Sequence, residues 1–272
     1  MTVEAADTLD PATLAATLRT RVLGRVHEHH VEIDSTQTWA QAWAEAGAPH
    51  GALVTADAQR AGRGRRGRGF VSPAGTGIYA SVVLRGPRRW AEGPLSLVVG
   101  LAIAEGIAGV GVAGMRLKWP NDLVLAGGKA GGILCEVFWQ GECPTVIAGF
   151  GINVHAAPNL GPQAPYRATC LADVAGTRLP GRAAILASVL GRLEDVLDAY
   201  GRSGFAGLRP RYLAHSCTVG RIVEIEDGSE RARVRVVDVA DTGELVVRGP
   251  GGGRLRRIAA GEVSLPLDAE GC

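Results

Sequence analysis

A glycine- and arginine-rich stretch, AGRGRRGRGF at residues 61–70, stands between two segments that have the pattern of β-strands. Gly62, Gly64 and Gly67 match the G-x-G-x-x-G spacing of a dinucleotide-binding turn. Such a turn must open a helix whose N-terminus binds the pyrophosphate, but here proline and glycine lead into a second strand at 78–85. The phosphate-loop signature G-x-x-x-x-G-K-[ST] is missing as well. The stretch therefore does not belong to a doubly wound dinucleotide-binding fold.

The Gly/Arg loop, as residues 61–70 are called below, has the chemistry of an anion-binding segment. Four arginines between Arg63 and Arg68 carry planar donor groups that suit phosphate and carboxylate. The glycines let backbone N–H groups approach a ligand closely. Without a ligand the guanidinium groups repel one another, so we expect a mobile loop that closes over an anion and excludes water. A basic loop that is merely solvated is the simpler alternative.

The rest of the chain is not strongly basic. The net charge is only +2 over 272 residues, so the arginine cluster is a local feature. The five cysteines are odd in number and form no C-x-x-C pair, which predicts reduced thiols in a cytoplasmic protein. The N-terminus, MTVEAADTLD, has no apolar leader, and no apolar run approaches the length of a membrane span. We expect no membrane partner.

Helix and strand patterns alternate along the first part of the chain. Asp10 before Pro11 predicts the start of a helix, and the longest apolar repeat at helical spacing covers residues 182–200. A second helix is predicted after Asp34 or Ser35; Trp39 and Trp43 share one face of it, where we expect them to be core residues. A further helix is predicted after Pro94, and strands are predicted at 26–33, 52–58, 78–85, 116–119, 122–139 (with a glycine turn) and 145–154.

The pattern changes after Ser216. Short β-rich segments follow one another there, separated by DGS, DTG and GPGGG turns. This arrangement predicts a small β-barrel. We therefore expect an α+β domain over residues 1–215 and a second, β domain over residues 216–272.

Ordered segments of the chain resemble the biotin protein ligases, also called biotin–acetyl-CoA-carboxylase ligases. They are IDSTQ (33–37), QRAGRGRRGR (59–68), KWPND (118–122), KAGGILCE (129–136), GFGINV (149–154) and GEVSL (261–265). Their common order is far more specific than any one of them alone. The resemblance implies an α+β catalytic domain with a mixed β-sheet flanked by helices, of the class II synthetase-like or biotin–lipoate ligase-like kind. It also implies that the C-terminal β-barrel is SH3-like.

The resemblance implies a two-step reaction that requires ATP and Mg²⁺. Biotin and ATP give biotinyl-5′-AMP and pyrophosphate, and a lysine of the biotin carboxyl carrier domain of an acyl-CoA carboxylase then attacks the acyl carbon and releases AMP. The segment before Ser35 has room for one helix only. We therefore expect a monofunctional ligase that lacks an N-terminal DNA-binding domain and has no DNA partner.

Adenylation brings the biotin carboxylate and the α-phosphate together, so nearby cations must offset their repulsion. The resemblance implies catalytic roles for Arg65, Lys129, Lys118 and Asp122, with Asp122 as a Mg²⁺ ligand or a proton acceptor. The positions that match biotin contacts of the family are Ser35, Thr36, Gln37, Gln59, Arg63, Gly64, Arg65, Lys129 and Gly132. The positions that match nucleotide contacts are Arg63, Arg66, Arg68, Phe70, Lys118, Asn121 and Asn153.

Several of these residues have simpler structural explanations. Lys129 fits an exposed turn, Ser35 fits a helix cap and Asp122 fits a turn or a cap. The family often has asparagine at the position of Gln37 and tryptophan at the position of Phe70. The contact of Gln37 is therefore left open, and stacking on Phe70 is expected to be weaker.

Two other functions compete with a biotin ligase. A lipoate ligase or octanoyl transferase of the same superfamily is expected to show an Arg-rich Gly-Gly-Gly motif followed by a histidine–aspartate pair, and the sequence contains neither. A nucleic-acid-binding protein that used the Gly/Arg loop and the β-barrel would bind oligonucleotides in a strongly salt-dependent way.

Overall fold

The computed structural model of the chain describes residues 7–140, 143–161, 166–227, 230–249, 253–259 and 262–264. The acidic start of the chain, Gly261 and Leu265 of the GEVSL segment, and Cys272 lie outside these ranges. The described helices are α1 (Pro11–Thr17), α2 (Thr36–Glu45), α3 (Arg89–Glu92), α4 (Leu95–Gly109), α5 (Ala172–Ala175) and α6 (Arg182–His215).

A seven-stranded mixed sheet forms the centre of the first part of the chain. Its strands are β1 (His27–Ile33), β2 (Leu53–Gln59), β3 (Gly77–Arg85), β4 (Arg116–Lys118), β5 (Asp122–Leu125), β6 (Gly128–Gln140) and β7 (Cys143–Asn153). Their order across the sheet is β1-β2-β3-β7-β6-β5-β4. β1 and β2 are parallel, and the other neighbours are antiparallel. This arrangement confirms the predicted α+β class with a mixed sheet.

Helices cover both faces of this sheet. On one face α4 packs against α6, and most residues of α4 are buried, which explains why its sequence is almost wholly apolar apart from Ser96 and Glu105. On the other face α2 packs against β2, β3 and β7. The first predicted helix is also present as α1. Asp10 caps its start by accepting hydrogen bonds from the N–H groups of Ala12 and Thr13.

Helix α6 is longer than the predicted 182–200 segment. Gly204 has a φ of 64° and interrupts the helical spiral, and Pro210 follows inside the helix. Beyond the interruption, Phe205, Leu208 and Tyr212 are buried, so packing against the core carries the helix on to His215. The sequence repeat is broken at the glycine, which is why the prediction ended too early.

The predicted core role of Trp39 is wrong. Its side chain is 43% exposed, and its indole N–H donates to Glu28 Oε2 at 2.7 Å. The face of α2 that meets the sheet is made of small or polar residues such as Thr36 and Ala40. Small side chains let the helix lie close to the strands, and the tryptophans are left at the margin, where Trp43 is partly buried.

The C-terminal part of the chain forms a second, antiparallel sheet. Its strands are β8 (Ile222–Asp227), β9 (Glu230–Val239), β10 (Leu245–Arg248), β11 (Leu255–Ile258) and β12 (Glu262–Ser264), in the order β11-β10-β9-β8-β12. Alternate residues such as Val223, Ile225, Val234 and Val236 are buried, as the period of a strand requires. Within the described ranges β11 and β12 are not paired, so these strands form an open sheet.

Trp119 joins the two sheets. Its side chain is only 2% exposed, and its indole N–H donates to the carbonyl oxygen of Gly243 at 3.0 Å. Its backbone N–H donates to Thr218 Oγ1 at 2.9 Å. The peptide bond between Trp119 and Pro120 is cis. Trp119 therefore anchors the K-W-P-N-D turn to the C-terminal part of the chain, next to its strands.

Replacement of Gly243 by alanine should loosen this junction. Gly243 has a φ of 87°, and a Cβ atom there would overlap the ring of Pro94. We expect a loss of unfolding free energy of about 2–4 kcal/mol, since a clash adds to the backbone strain. Gly220 is the matched control, because it has a φ of 86° and the described chain has no atom within 4 Å of the place that a Cβ would take there. Thermal unfolding of Gly243→Ala and Gly220→Ala measures the difference, and equal midpoints would contradict the role of the junction.

Candidate active site

A pocket of about 410 Å³ opens where the Gly/Arg loop, the K-W-P-N-D turn and β6 meet. Most of the predicted site residues line it, namely Ser35, Thr36, Gln37, Gln59, Arg63, Gly64, Arg65, Arg68, Phe70, Lys118, Asn121, Asp122, Lys129 and Gly132. Five of these side chains are cationic and one is a carboxylate. A cavity of this size with so strong an excess of positive charge suits a small polyanion.

The Gly/Arg loop forms a hairpin over one side of the pocket. Isolated backbone bridges pair Gln59 with Ser72 and Arg63 with Gly69, and residues Arg65–Gly67 make a single 3-10 turn at the tip. Gly62 packs closely against the carbonyl oxygen of Phe70, where a side chain has no room. The hairpin brings Arg63, Arg65 and Arg68 to the pocket, and the expected mobility of the loop stays a prediction.

Lys118, Asp122 and Lys129 form a partly buried charge cluster on the wall of the pocket. The β4–β5 hairpin pairs Lys118 with Asp122, and the β5–β6 hairpin brings Lys129 to the same carboxylate. Lys118 Nζ lies 3.0 Å from Asp122 Oδ2, and Lys129 Nζ lies 2.6 Å from Asp122 Oδ1. Burial alone would raise the pKa of Asp122, but Lys129 and Lys118 outweigh it and hold that pKa below its ordinary value. The two lysines therefore favour the ionised form of this carboxylate.

Arg65 has few polar contacts for a partly buried guanidinium group. Its Nη1 donates to Asn121 Oδ1 at 3.3 Å, and Asn121 is itself fixed by donating from Nδ2 to the carbonyl oxygen of Ile133 at 3.1 Å. Burial lowers the pKa of Arg65, and the charge of Arg66 lowers it further. Within the described chain no carboxylate forms an ion pair with Arg65, so an anionic ligand would offset its desolvation.

Hydroxyl and amide groups line the other end of the pocket. The backbone N–H of Thr36 donates to Gln59 Oε1 at 2.9 Å, and Ser81 Oγ donates to Thr36 Oγ1 at 3.0 Å. Ser35 precedes α2, but its hydroxyl makes no cap. The Ser35 Oγ atom is buried and has no hydrogen-bond partner among the described residues. An unused buried hydroxyl on a pocket wall is suited to a polar ligand group.

The side-chain amide of Gln37 is already hydrogen-bonded within the protein. Its side chain is 4% exposed, and its Nε2 donates to Glu136 Oε2 at 3.0 Å and to the carbonyl oxygen of Ile147 at 3.1 Å. Its Oε1 accepts from Ser81 Oγ at 3.2 Å. Both amide protons are therefore used within the protein.

Two predicted nucleotide-binding residues do not line the pocket. Arg66 lies at the tip of the hairpin with a φ of 55°, and its side chain is exposed. Asn153 is buried, and its Nδ2 donates to the carbonyl oxygens of Thr169 at 2.9 Å and Lys129 at 3.4 Å. Asn153 thus holds the backbone at Lys129 in place. The ring of Phe70 lines the pocket edge and packs closely over Gly151, so a part of its surface is already covered.

Sequence reasoning missed several residues of the site. Ser81, Tyr166 and Val263 line the pocket, and Glu136 lies behind it, paired with Arg63. Ser81 is the only polar residue between Tyr79 and Arg85 in β3, and this contrast could have marked it as a site residue. Another signal is that the whole chain contains two lysines, Lys118 and Lys129, among its 29 basic residues. Both converge on one carboxylate.

The arrangement does not fit a metal ion on Asp122. Both oxygens of that carboxylate face lysine ammonium groups, at 3.0 and 2.6 Å. In the described ranges no cluster of three or more His, Cys, Asp or Glu side chains could hold a metal. Mg²⁺ commonly binds substrate phosphates and keeps several waters, so it needs no protein cage. Both oxygens of Asp122 are therefore already occupied by ammonium groups and are not placed to bind Mg²⁺.

Known protein families match both parts of the chain. Residues 31–153 match the Biotin/lipoate A/B protein ligase family, and residues 218–265 match the Biotin protein ligase C terminal domain. Over the described residues, no helix has both the length and the apolar character needed to cross a membrane.

Individual relatives agree with these matches. A Biotin--[acetyl-CoA-carboxylase] ligase of Paracoccus denitrificans is 36% identical over 78% of this chain and 89% of its own length. The Bifunctional ligase/repressor BirA of Bacillus subtilis is 30% identical over 91% of this chain and 76% of its own length. The structure of the biotin protein ligase from Aquifex aeolicus in complex with biotin and ATP has a TM-score of 0.74 at 27% identity, covering 88% of this chain and 98% of that one. The pocket and these relationships together show that the chain belongs to the biotin protein ligase family.

Proposed function

We propose that the protein is an ATP-dependent biotin protein ligase. The biotin carboxylate attacks the α-phosphorus of ATP, which forms biotinyl-5′-AMP and releases pyrophosphate. A lysine ε-amine of the acceptor then attacks the acyl carbon, which forms an amide and releases AMP and a proton. Support comes from relatives named as biotin ligases and from a similar structure that holds biotin and ATP.

The observation that carries the proposal is the unbalanced charge of the pocket. Among the described residues Arg65 has no carboxylate partner, and two lysines share the single carboxylate of Asp122. Two anions must meet during adenylation, and preorganised cations in a desolvated site stabilise that transition state. Lys129 and Arg65 both line the pocket, and we place the reacting carboxylate and phosphate beside them.

The polar end of the pocket suits the ureido ring of biotin. Ser35 contributes an unused hydroxyl, and Thr36 and Gln59 contribute groups already held by hydrogen bonds. Arg63, Gly64 and Gly132 complete the proposed biotin site. On the nucleotide side we place Arg68, Lys118 and Asn121, with Mg²⁺ carried on the phosphates of ATP.

The proposed acceptor is a biotin carboxyl carrier domain of an acyl-CoA carboxylase. The name of the Paracoccus denitrificans relative states acetyl-CoA carboxylase as the object of ligation. The free thiols of Cys135 and Cys170 agree with a reducing compartment, and we propose the cytoplasm.

The test is transfer to an isolated carrier domain. The chain is incubated with biotin, MgATP and the carrier, and the intact mass of the carrier is measured. We expect the addition of one biotin that requires ATP, and no addition to a carrier whose acceptor lysine is replaced by arginine. Transfer of lipoate in place of biotin would assign the other branch of the family. Tight, ATP-independent binding of an oligonucleotide without any transfer would contradict an enzyme of either kind.

A further inference from the structure

Glu136 lies just behind the pocket and contacts two residues that face it. Its Oε1 accepts from Arg63 Nη2 at 2.7 Å, and its Oε2 accepts from Gln37 Nε2 at 3.0 Å. The carboxylate is partly buried, with 27% of the side chain exposed. The single carboxyl group therefore connects the Gly/Arg loop to helix α2.

The Gln37 side of this connection is rigid. Gln37 is 4% exposed and also donates to the carbonyl oxygen of Ile147 in β7. Its Oε1 occupies the space left by Gly149, which has no side chain to exclude it. Glu136 is thus fixed relative to the sheet, and its hydrogen bond in turn fixes the guanidinium group of Arg63.

The connection continues along the polar wall of the pocket. The one hydroxyl proton of Ser81 is shared between Gln37 Oε1 at 3.2 Å and Thr36 Oγ1 at 3.0 Å, and Thr36 in turn donates to Gln59 Oε1. Gln59 Nε2 in turn donates to Ser72 Oγ at 2.8 Å, at the base of the hairpin. One chain of hydrogen bonds therefore runs from the base of the Gly/Arg loop to Arg63.

The geometry points to Glu136 as a positioning residue that holds Arg63 toward the anionic part of the ligand. This inference rests on the proposed function, because it assumes that Arg63 contacts the biotin carboxylate or its adenylate. One Nη of Arg63 is used by Glu136, and no other described side chain takes the remaining donors of the guanidinium, which are left for the ligand. Glu136 therefore acts through Arg63 and does not touch the reacting atoms.

This arrangement predicts that replacing Glu136 changes the affinity for an anionic ligand in opposite directions when Arg63 is present and when it is absent. With Arg63 present, Glu136 orients a cation and aids binding of an anion. Without Arg63, the same carboxylate stands close behind the pocket with its countercharge removed, and it repels an anion. The effect of replacing Glu136 therefore depends on whether Arg63 is present.

The experiment compares the wild type with Arg63→Ala, Glu136→Gln and the double variant. Glutamine has nearly the volume of glutamate, but its one oxygen cannot serve both Gln37 and Arg63. Calorimetry measures the Kd for biotin, and biotin- and ATP-dependent pyrophosphate exchange measures KM and kcat. We expect Glu136→Gln to raise the Kd and KM for biotin about 3- to 10-fold and to change kcat less than about 2-fold. In the Arg63→Ala background we expect the same substitution to lower the Kd.

Effects in the same direction in both backgrounds would overturn the inference. Arg60 and Glu32 supply a matched control, because they form a 3.0 Å ion pair near the loop but do not line the pocket. Their double-mutant cycle should show no effect on biotin binding.

Thermal unfolding of every variant separates a folding defect from a binding effect, and Glu136→Asp supplies a second variant that keeps the charge but draws it back from Arg63. If the wild type itself neither binds biotin nor exchanges pyrophosphate, the proposed function fails, and the inference fails with it.

Discussion

The Lys129→Ala variant should lose the adenylation half-reaction. Lys129 lies at 2.6 Å from Asp122 and stands over the ring of Tyr166, and its side chain is 19% exposed. Its removal deletes a cation beside the reacting anions and leaves Asp122 balanced by Lys118 alone. Loss of one preorganised group of this kind costs on the order of 10²- to 10³-fold in rate. Biotin-dependent pyrophosphate exchange measures the step without any contribution from the acceptor.

The control for Lys129→Ala is a variant that keeps the charge. Lys129→Arg retains the positive charge but presents a planar group that is longer than the ammonium, so we expect partial activity. Both variants should unfold near the wild-type temperature, because Lys129 is at the pocket wall and not in the apolar core. Exchange at the wild-type rate in Lys129→Ala would contradict a role for the lysine in adenylation.

The Arg65→Ala variant should release biotinyl-5′-AMP into solution. Arg65 lies on the hairpin, lines the pocket and donates to the neutral amide of Asn121 at 3.3 Å, so its charge is available to a phosphate or acyl oxygen. A charge-assisted hydrogen bond in such a site stabilises the complex by about 1.5–3 kcal/mol, which corresponds to roughly 10- to 150-fold in retention. Chromatography of the reaction mixture without acceptor measures the free adenylate.

Arg66→Ala is the matched control for this measurement. Arg66 is the next residue of the same loop, but it does not line the pocket. We expect this variant to retain the adenylate as the wild type does. Equal leakage from both variants would show that the total charge of the loop matters and that the position of Arg65 does not.

The secondary structure near the site could be predicted because its signals are local. Strand β3 is a largely apolar run with Ser81 inside it, and the β4–β5 and β5–β6 hairpins follow directly from the K-W-P-N-D and glycine turns. The motifs also placed most of the site residues on the right elements. Adjacent strands in a hairpin bring their ends together, so Lys118, Asp122 and Lys129 meet wherever those hairpins form.

The remaining contacts depend on packing between distant segments. Trp39 was expected in the core, but the small residues of α2 take the sheet-facing positions. Asn153 was expected to bind the nucleotide, but it is buried against the backbone of Lys129. Val263 reaches the pocket from the C-terminal sheet, and no local pattern could indicate that contact.

The role of Glu136 is another feature that the sequence alone could not indicate. It ends the K-A-G-G-I-L-C-E segment, where an acidic residue beside an anion-binding site has no evident use. Its purpose becomes visible only when β6 brings it against Arg63 and Gln37. A carboxylate that orients a cation is a property of the folded pair and not of either segment.

In the proposed mechanism, cations of the Gly/Arg loop and of β6 hold an acyl-phosphate between them. A crystal structure of the wild type with bound biotinyl-5′-AMP tests this placement most directly. We expect Arg63 or Arg65 from one side and Lys129 from the other within about 3 Å of the acyl or phosphoryl oxygens. An adenylate bound with Lys129 in bulk water and residues 62–68 turned away from it would contradict the mechanism.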